Sequence, residues 1–141
     1  MKKKTKVGLT MRVIKDEKYN EIRDEISHDW IEFLEENSID IKLIPNSLQN
    51  YSNFIKKEEI EAVILSNGNN VIYNKDDSLN IDLTDHIRNE SERKILSFCV
   101  EKKIPVLGVC RGMQFINHFF MGKLCADINS KKDRDSTHAN N

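Results

Sequence analysis

A cysteine bracketed by two glycines, in Gly108-Val109-Cys110-Arg111-Gly112-Met113-Gln114, is the feature of this sequence best suited to chemistry. The apolar run Ile104-Pro105-Val106-Leu107-Gly108-Val109 leads into it and a helical pattern follows. A thiol at such a strand-to-helix junction forms a nucleophile elbow with Cys in the Ser position. The turn is so sharp that side chains two residues before and after the nucleophile would collide, which explains glycine at both 108 and 112. The positive end of the helix macrodipole favours thiolate over thiol there, so Cys110 is the candidate catalytic nucleophile. Cys99 and Cys125 have no glycine brackets and no elbow, and they read as ordinary core thiols.

Such a nucleophile needs a general base, and the four histidines are poorly placed to be one. His118 follows Cys110 by eight residues on the same predicted helix, roughly 12 Å of axial rise away, too far for proton transfer. His138 lies in a polar tail, and His28 and His86 precede the elbow on predicted helices, where both read as structural. Arg88 and Glu92 are spaced i, i+4 and read as an ion pair on a helix surface. No Cys/His cluster has zinc spacing and no Gly-rich phosphate motif is present, so neither metal nor cofactor is expected.

The elements that must position the elbow follow from apolar periodicity. Lys6 to Val13 predicts a buried strand, and Ile22, Ile26, Trp30, Phe33 and Leu34 predict one helix over about Glu17 to Asn37. Strands are expected at Ile39 to Ile44 and Ala62 to Leu65, with a short helix at Leu48, Tyr51, Phe54 and Ile55 between them. Ser66 to about Asp82 has loop chemistry, and Thr84 is the expected N-cap of a helix to about Lys103, with Ile87, Ile95, Phe98 and Cys99 inward. A buried strand at Ile104 to Val109, the elbow helix Arg111 to Phe120 and a short strand at Lys123 to Ile128 complete the pattern. This alternation predicts an α/β fold, doubly wound, with a mostly parallel open sheet of flavodoxin-like order and helices on both faces. Ligands in such sheets bind at the carboxyl ends of the strands, where the elbow lies.

A chain of 141 residues with 38% hydrophobic content has room for one domain, expected over residues 1–141 with a polar tail at 129–141. Acids and bases nearly balance, giving a net charge of −1, so no strong field exists to hold a nucleic acid or a membrane surface. Three cysteines make no secreted disulfide framework, and no apolar stretch reaches the length of a signal peptide or a span. A cytoplasmic protein with reduced thiols is expected.

The segment Ile104 to Gly122 (IPVLGVCRGMQFINHFFMG) resembles the class I glutamine amidotransferase-like hydrolases, in particular the γ-glutamyl-γ-aminobutyrate hydrolase branch and its P-[IV]-L-G-[IV]-C-R-G-x-Q-x-[IL]-N signature. Lys123 to Ile128 is similar to the strand that follows in that branch. Arg88 to Glu92 (RNESE) departs by one residue from its R-D-x-x-E. The turn Leu65-Ser66-Asn67-Gly68-Asn69-Asn70 is similar to its L-[ST]-G-G-x-[DN], with Asn67 in place of the first glycine.

The resemblance implies thiolate attack on a γ-glutamyl amide carbonyl, loss of the amine or ammonia, and hydrolysis of the thioester. It implies oxyanion donors in the backbone N–H groups of Gly68 and Arg111. It also implies a substrate-binding role for Gln114 on the first turn of the elbow helix. The implied partner is a small-molecule γ-glutamyl substrate, in a biosynthetic setting such as modification of a bacterial capsular polysaccharide. The family's base is a His-x-Glu pair on a later strand, and none follows Cys110. The chain is therefore expected to represent the N-terminal two-thirds of the family domain, incomplete at its C-terminus. Two other roles stay open: a glutaminase subunit that delivers ammonia to a synthetase, and a binding module without turnover. Association with a synthetase or with a second copy is compatible with each.

Overall fold

The computed structural model describes residues 2–72 and 82–124. Four parallel strands form its main sheet: β1 (Thr5–Thr10), β4 (Ile39–Ile44), β5 (Ala62–Leu65) and β6 (Val106–Gly108), in the order β4-β1-β5-β6. Val7 and Leu9 of β1 face one layer, where they pack with Ile64 and with Leu34 of α1 (His28–Glu36). On the other face Ile44, Val63 and Leu65 meet Ile55 of α2 (Tyr51–Lys57), Ile95, Leu96 and Cys99 of α3 (Leu83–Lys102), and Phe115 of α4 (Arg111–Phe119). The sheet is thus covered on both faces, and the first parallel strand lies between the second and the third, as the doubly wound α/β expectation requires. That order places the ends of β1, β5 and β6 side by side.

The stretch between the first two parallel strands departs from expectation. Strand β1 stops at Thr10, and the chain then folds into an antiparallel hairpin of β2 (Arg12–Asp16) and β3 (Glu21–Glu25), with Arg12 opposite Glu25 and Asp16 opposite Glu21. Its turn ends at Asn20, in the left-handed region at φ 50° that asparagine tolerates better than most residues. The helix expected from Glu17 therefore starts only at His28. Ser27 caps it, its hydroxyl accepting from the Asp29 N–H at 3.2 Å. Ile22 belongs to β3 and is exposed, not part of an inward helical stripe.

Helix α3 begins at Leu83, one residue before the expected cap position. Asp82 takes the cap, accepting from the N–H of Thr84 at 2.8 Å and from its hydroxyl at 2.7 Å. Lys103 closes the helix in the left-handed conformation, φ 57°. Strand β6 is shorter than the expected 104–109 and is not buried along its length, since Leu107 is exposed. Among the described residues β6 pairs only with β5, which leaves its other side uncovered. The expected strand at 123–128 and the tail at 129–141 lie almost wholly outside the described residues. Among those residues no helix is long and apolar enough to cross a membrane.

Candidate functional site

The expected elbow is present where β6 meets α4. Cys110 is exposed and occupies the N-cap position of α4 with φ 56° and ψ −108°, a conformation costly for a residue that carries a β-carbon. Close contacts explain the flanking glycines. A β-carbon on Gly108 would lie 2.6 Å from the main-chain carbonyl of Gly112, and one on Gly112 would lie 2.1 Å from the carbonyl oxygen of Leu65. The elbow therefore presses against the end of β5. Val109 secures the approach by donating its N–H to that same Leu65 carbonyl at 3.0 Å. Arg111 opens α4, so its N–H has no acceptor within the helix, whereas Gln114 donates its N–H to the Cys110 carbonyl at 3.1 Å. Gln114 thus lies on the first turn, half-buried.

Beside the elbow, the chain leaves β5 through the turn Ser66 to Asn70. Gly68 has φ +91°, a conformation that favours glycine, and a β-carbon there would lie 2.2 Å from Nε of Arg12, so that side chain would have to move aside. Asn67, which stands where the resembled turn has its first glycine, accepts a hydrogen bond from the indole Nε1 of Trp30 at 3.0 Å. Asn69 exchanges two side-chain bonds with the backbone of Val13, both 2.9 Å, and Asn70 donates its N–H to Asp85 at 2.9 Å. The turn is therefore tied to β2, α1 and α3 together. A cleft of about 210 Å³ lined by Arg12, Glu25, Ser27 and Asn67 opens next to it.

Behind the turn, Arg88 and Glu92 overturn the expected surface ion pair. Both side chains are fully buried, because α3 turns this part of its helix face toward the sheet. Arg88 donates to Ser66 O at 2.7 Å, Asn67 O at 2.7 Å and Gly68 O at 3.0 Å, three successive carbonyls of the turn. Its Nε donates to Glu92 at 3.0 Å. The second Glu92 oxygen accepts a short, charge-assisted bond from Arg111, and Thr10 at the end of β1 donates to Glu92 at 2.9 Å. Burial pulls the Arg88 pKa below its usual value and the Glu92 carboxylate pulls it back up, while Arg111 adds a further lowering push. An arginine so placed stays protonated. Two buried cations thus share one carboxylate. Among the described residues, Nε and Nη2 of Arg111 have no hydrogen-bond partner, and its guanidinium lies 5.3 Å from the Phe115 ring centroid.

The site residues expected from sequence therefore gather at the carboxyl ends of two paired strands, Gly68 after β5 and Cys110, Arg111 and Gln114 after β6. Cys99 is buried in the core, and burial pushes its thiol pKa up to about 11. His28 and His86 lie on exposed helix positions, and His118 falls in the last turn of α4, away from the elbow. Cys125 and His138 lie outside the described residues. Sequence reasoning missed Arg12, Trp30 and the buried role of Arg88 and Glu92. A signal for the last two was present: the R-x-x-x-E spacing matched a motif of the resembled branch. No group of three His, Cys, Asp or Glu side chains that could hold a metal occurs among the described residues.

Comparison with known proteins agrees with the α/β fold. The sequence model of the peptidase C26 family matches residues 7–141. A γ-glutamyl-CDP-amidate hydrolase of Campylobacter jejuni is 33% identical over 116 residues, covering 81% of this chain and 54% of the relative. A glutamine amidotransferase-like protein of Lactococcus lactis is 32% identical over 72 residues, 49% of this chain and 30% of the relative. The chain thus spans about half the length of the first of these relatives and less of the second.

Proposed function

Because this chain belongs to the peptidase C26 family, we propose that it carries the nucleophile half of a cysteine hydrolase that cleaves a γ-glutamyl amide bond in a small molecule. The observation that carries this reading is the backbone of Cys110, held at φ 56° and ψ −108° between two glycines that have no room for a side chain. The Cys110 thiolate adds to the γ-carbonyl carbon, and the N–H groups of Gly68 and Arg111 stabilise the oxyanion. Collapse of that intermediate breaks the C–N bond, and the amine leaves with a proton from the protonated base. Water then adds to the thioester, freeing glutamate and the thiol. The base that the family resemblance implies is a His-x-Glu pair, and these 141 residues contain none. Gln114, one turn along α4, holds the substrate.

The relative named γ-glutamyl-CDP-amidate hydrolase supports a γ-glutamylated nucleotide derivative as substrate, and capsular polysaccharide modification is a biosynthetic setting that the family resemblance suggests for it. Arg12 beside Gly68 provides a cation for an anionic part of such a molecule. Free thiols at Cys99 and Cys110 suit the cytoplasm. The test is glutamate release by the full-length protein from γ-glutamyl amides, with glutamine as the competing substrate. Preferred cleavage of a γ-glutamyl nucleotide amide over glutamine, lost in Cys110→Ala, is the expected result. Preference for glutamine would favour ammonia delivery to a synthetase. Unchanged release from Cys110→Ala would remove the proposal.

A further inference from the structure

The geometry points to Arg88 as a positioning residue for the oxyanion donor at Gly68: its guanidinium draws the carbonyls of Ser66, Asn67 and Gly68 inward and so turns the Gly68 N–H outward. This deepens the hydrolase reading above and rests on it. In a planar trans peptide the C=O and the following N–H point in opposite directions. The Asn67 carbonyl is bound at 2.7 Å by a guanidinium with no exposure to solvent. The N–H of the same peptide unit, that of Gly68, therefore points away from the core. Glycine at φ +91° has a low barrier to other backbone conformations, so without this restraint the peptide would be free to turn.

Glu92 makes the restraint stiff. One of its oxygens fixes Arg88 and the other fixes Arg111, the residue whose own N–H is the second donor. Both halves of the oxyanion site are thus referred to one buried carboxylate. A cation bound to the carbonyl side of the peptide also polarises it, which strengthens the N–H as a donor. The requirement for glycine at 68 and for arginine at 88 then have one cause. The first permits the conformation and the second selects it.

The test uses the full-length protein as wild type, Arg88→Lys and Arg88→Met. Four quantities are measured: kcat and KM with γ-glutamyl p-nitroanilide, the rate of Cys110 alkylation by iodoacetamide, and the 15N relaxation of Gly68. In folded variants kcat falls by about 10²- to 10³-fold, the scale of losing one oxyanion donor. KM and the alkylation rate stay within about threefold, because neither needs the oxyanion donor. The order parameter of the Gly68 N–H falls from near 0.85 to below about 0.6. A folded Arg88→Met with wild-type kcat, or with Gly68 as rigid as in the wild type, overturns the proposal. So does a wild-type Gly68 that is already mobile, a measurement that needs no variant to fold. A wild type that cleaves no γ-glutamyl amide refutes the hydrolase reading alone, since relaxation at Gly68 still decides the restraint.

Discussion

The carbonyl oxygen of Leu65 stands 2.1 Å from the position that a β-carbon on Gly112 would occupy, so β5 and α4 meet with no room for a side chain. The end of one strand thereby sets the position of the elbow that follows its neighbour. A methyl group at Gly112 would push backbone against backbone, which no rotamer change relieves. Gly112→Ala should lower stability by about 1–3 kcal/mol, the usual range for overpacking. Urea denaturation checks this, and an unchanged midpoint would show that α4 can shift freely.

The described free thiols should differ sharply in reactivity. Cys110 is exposed, whereas Cys99 is fully buried with its pKa pushed up to about 11. At pH 8 a thiol of that pKa is only about 0.1% thiolate, and the thiolate is the reacting form. Iodoacetamide followed by peptide mapping should label Cys110 within minutes and leave Cys99 intact until the fold is disrupted. Equal labelling of both would contradict the core position of Cys99.

Gln114→Ala should act on binding. The residue lies one turn into α4, with its backbone N–H bonded to the Cys110 carbonyl, so truncating the side chain leaves the elbow hydrogen bond in place. Loss of one substrate hydrogen bond is worth about 1 kcal/mol, which corresponds to a KM rise of about five- to tenfold at nearly constant kcat. Steady-state kinetics with a γ-glutamyl amide would measure it, and wild-type kinetics would reduce Gln114 to a scaffold residue.

Glu92→Gln should be far more damaging than a change at a surface pair. It removes the one carboxylate shared by two buried guanidiniums. Breaking a buried pair typically costs about 3–5 kcal/mol, because the remaining charge is left without compensation. A loss under about 1 kcal/mol in denaturant unfolding would mean that the arginines find other partners.

Parallel strands and the elbow were legible in the sequence because each is a local signal. The runs Ile39 to Ile44 and Ala62 to Leu65 are apolar and bounded by turn residues, and glycines at two-residue spacing from Cys110 mark a unique backbone. The hairpin was not legible, since Ile22 on a strand and Trp30 on a helix keep helical spacing by coincidence. Its cues were weaker, namely Asn20 at the turn and Ser27 as a cap. Burial of Arg88 and Glu92 could not be read from spacing, because an i, i+4 ion pair has the same pattern on either face of a helix. The partners that make the buried position favourable are remote in sequence: the carbonyls of Ser66, Asn67 and Gly68, about twenty residues away, with Thr10 and Arg111 on Glu92.

One contact already described gives the protein an optical reporter of its own. These 141 residues contain a single tryptophan, Trp30, and its indole N–H is bonded to Asn67, the residue directly before Gly68. An occupant of the space beside Gly68, or a rotation of that peptide that moves Asn67, would change the polarity or hydrogen bonding around this indole. Emission from Trp30 should therefore shift in wavelength or intensity as a γ-glutamyl compound is titrated in, without label and without turnover. Cys110→Ala, which binds but does not react, would then allow affinities for rival substrates to be ranked by fluorescence alone.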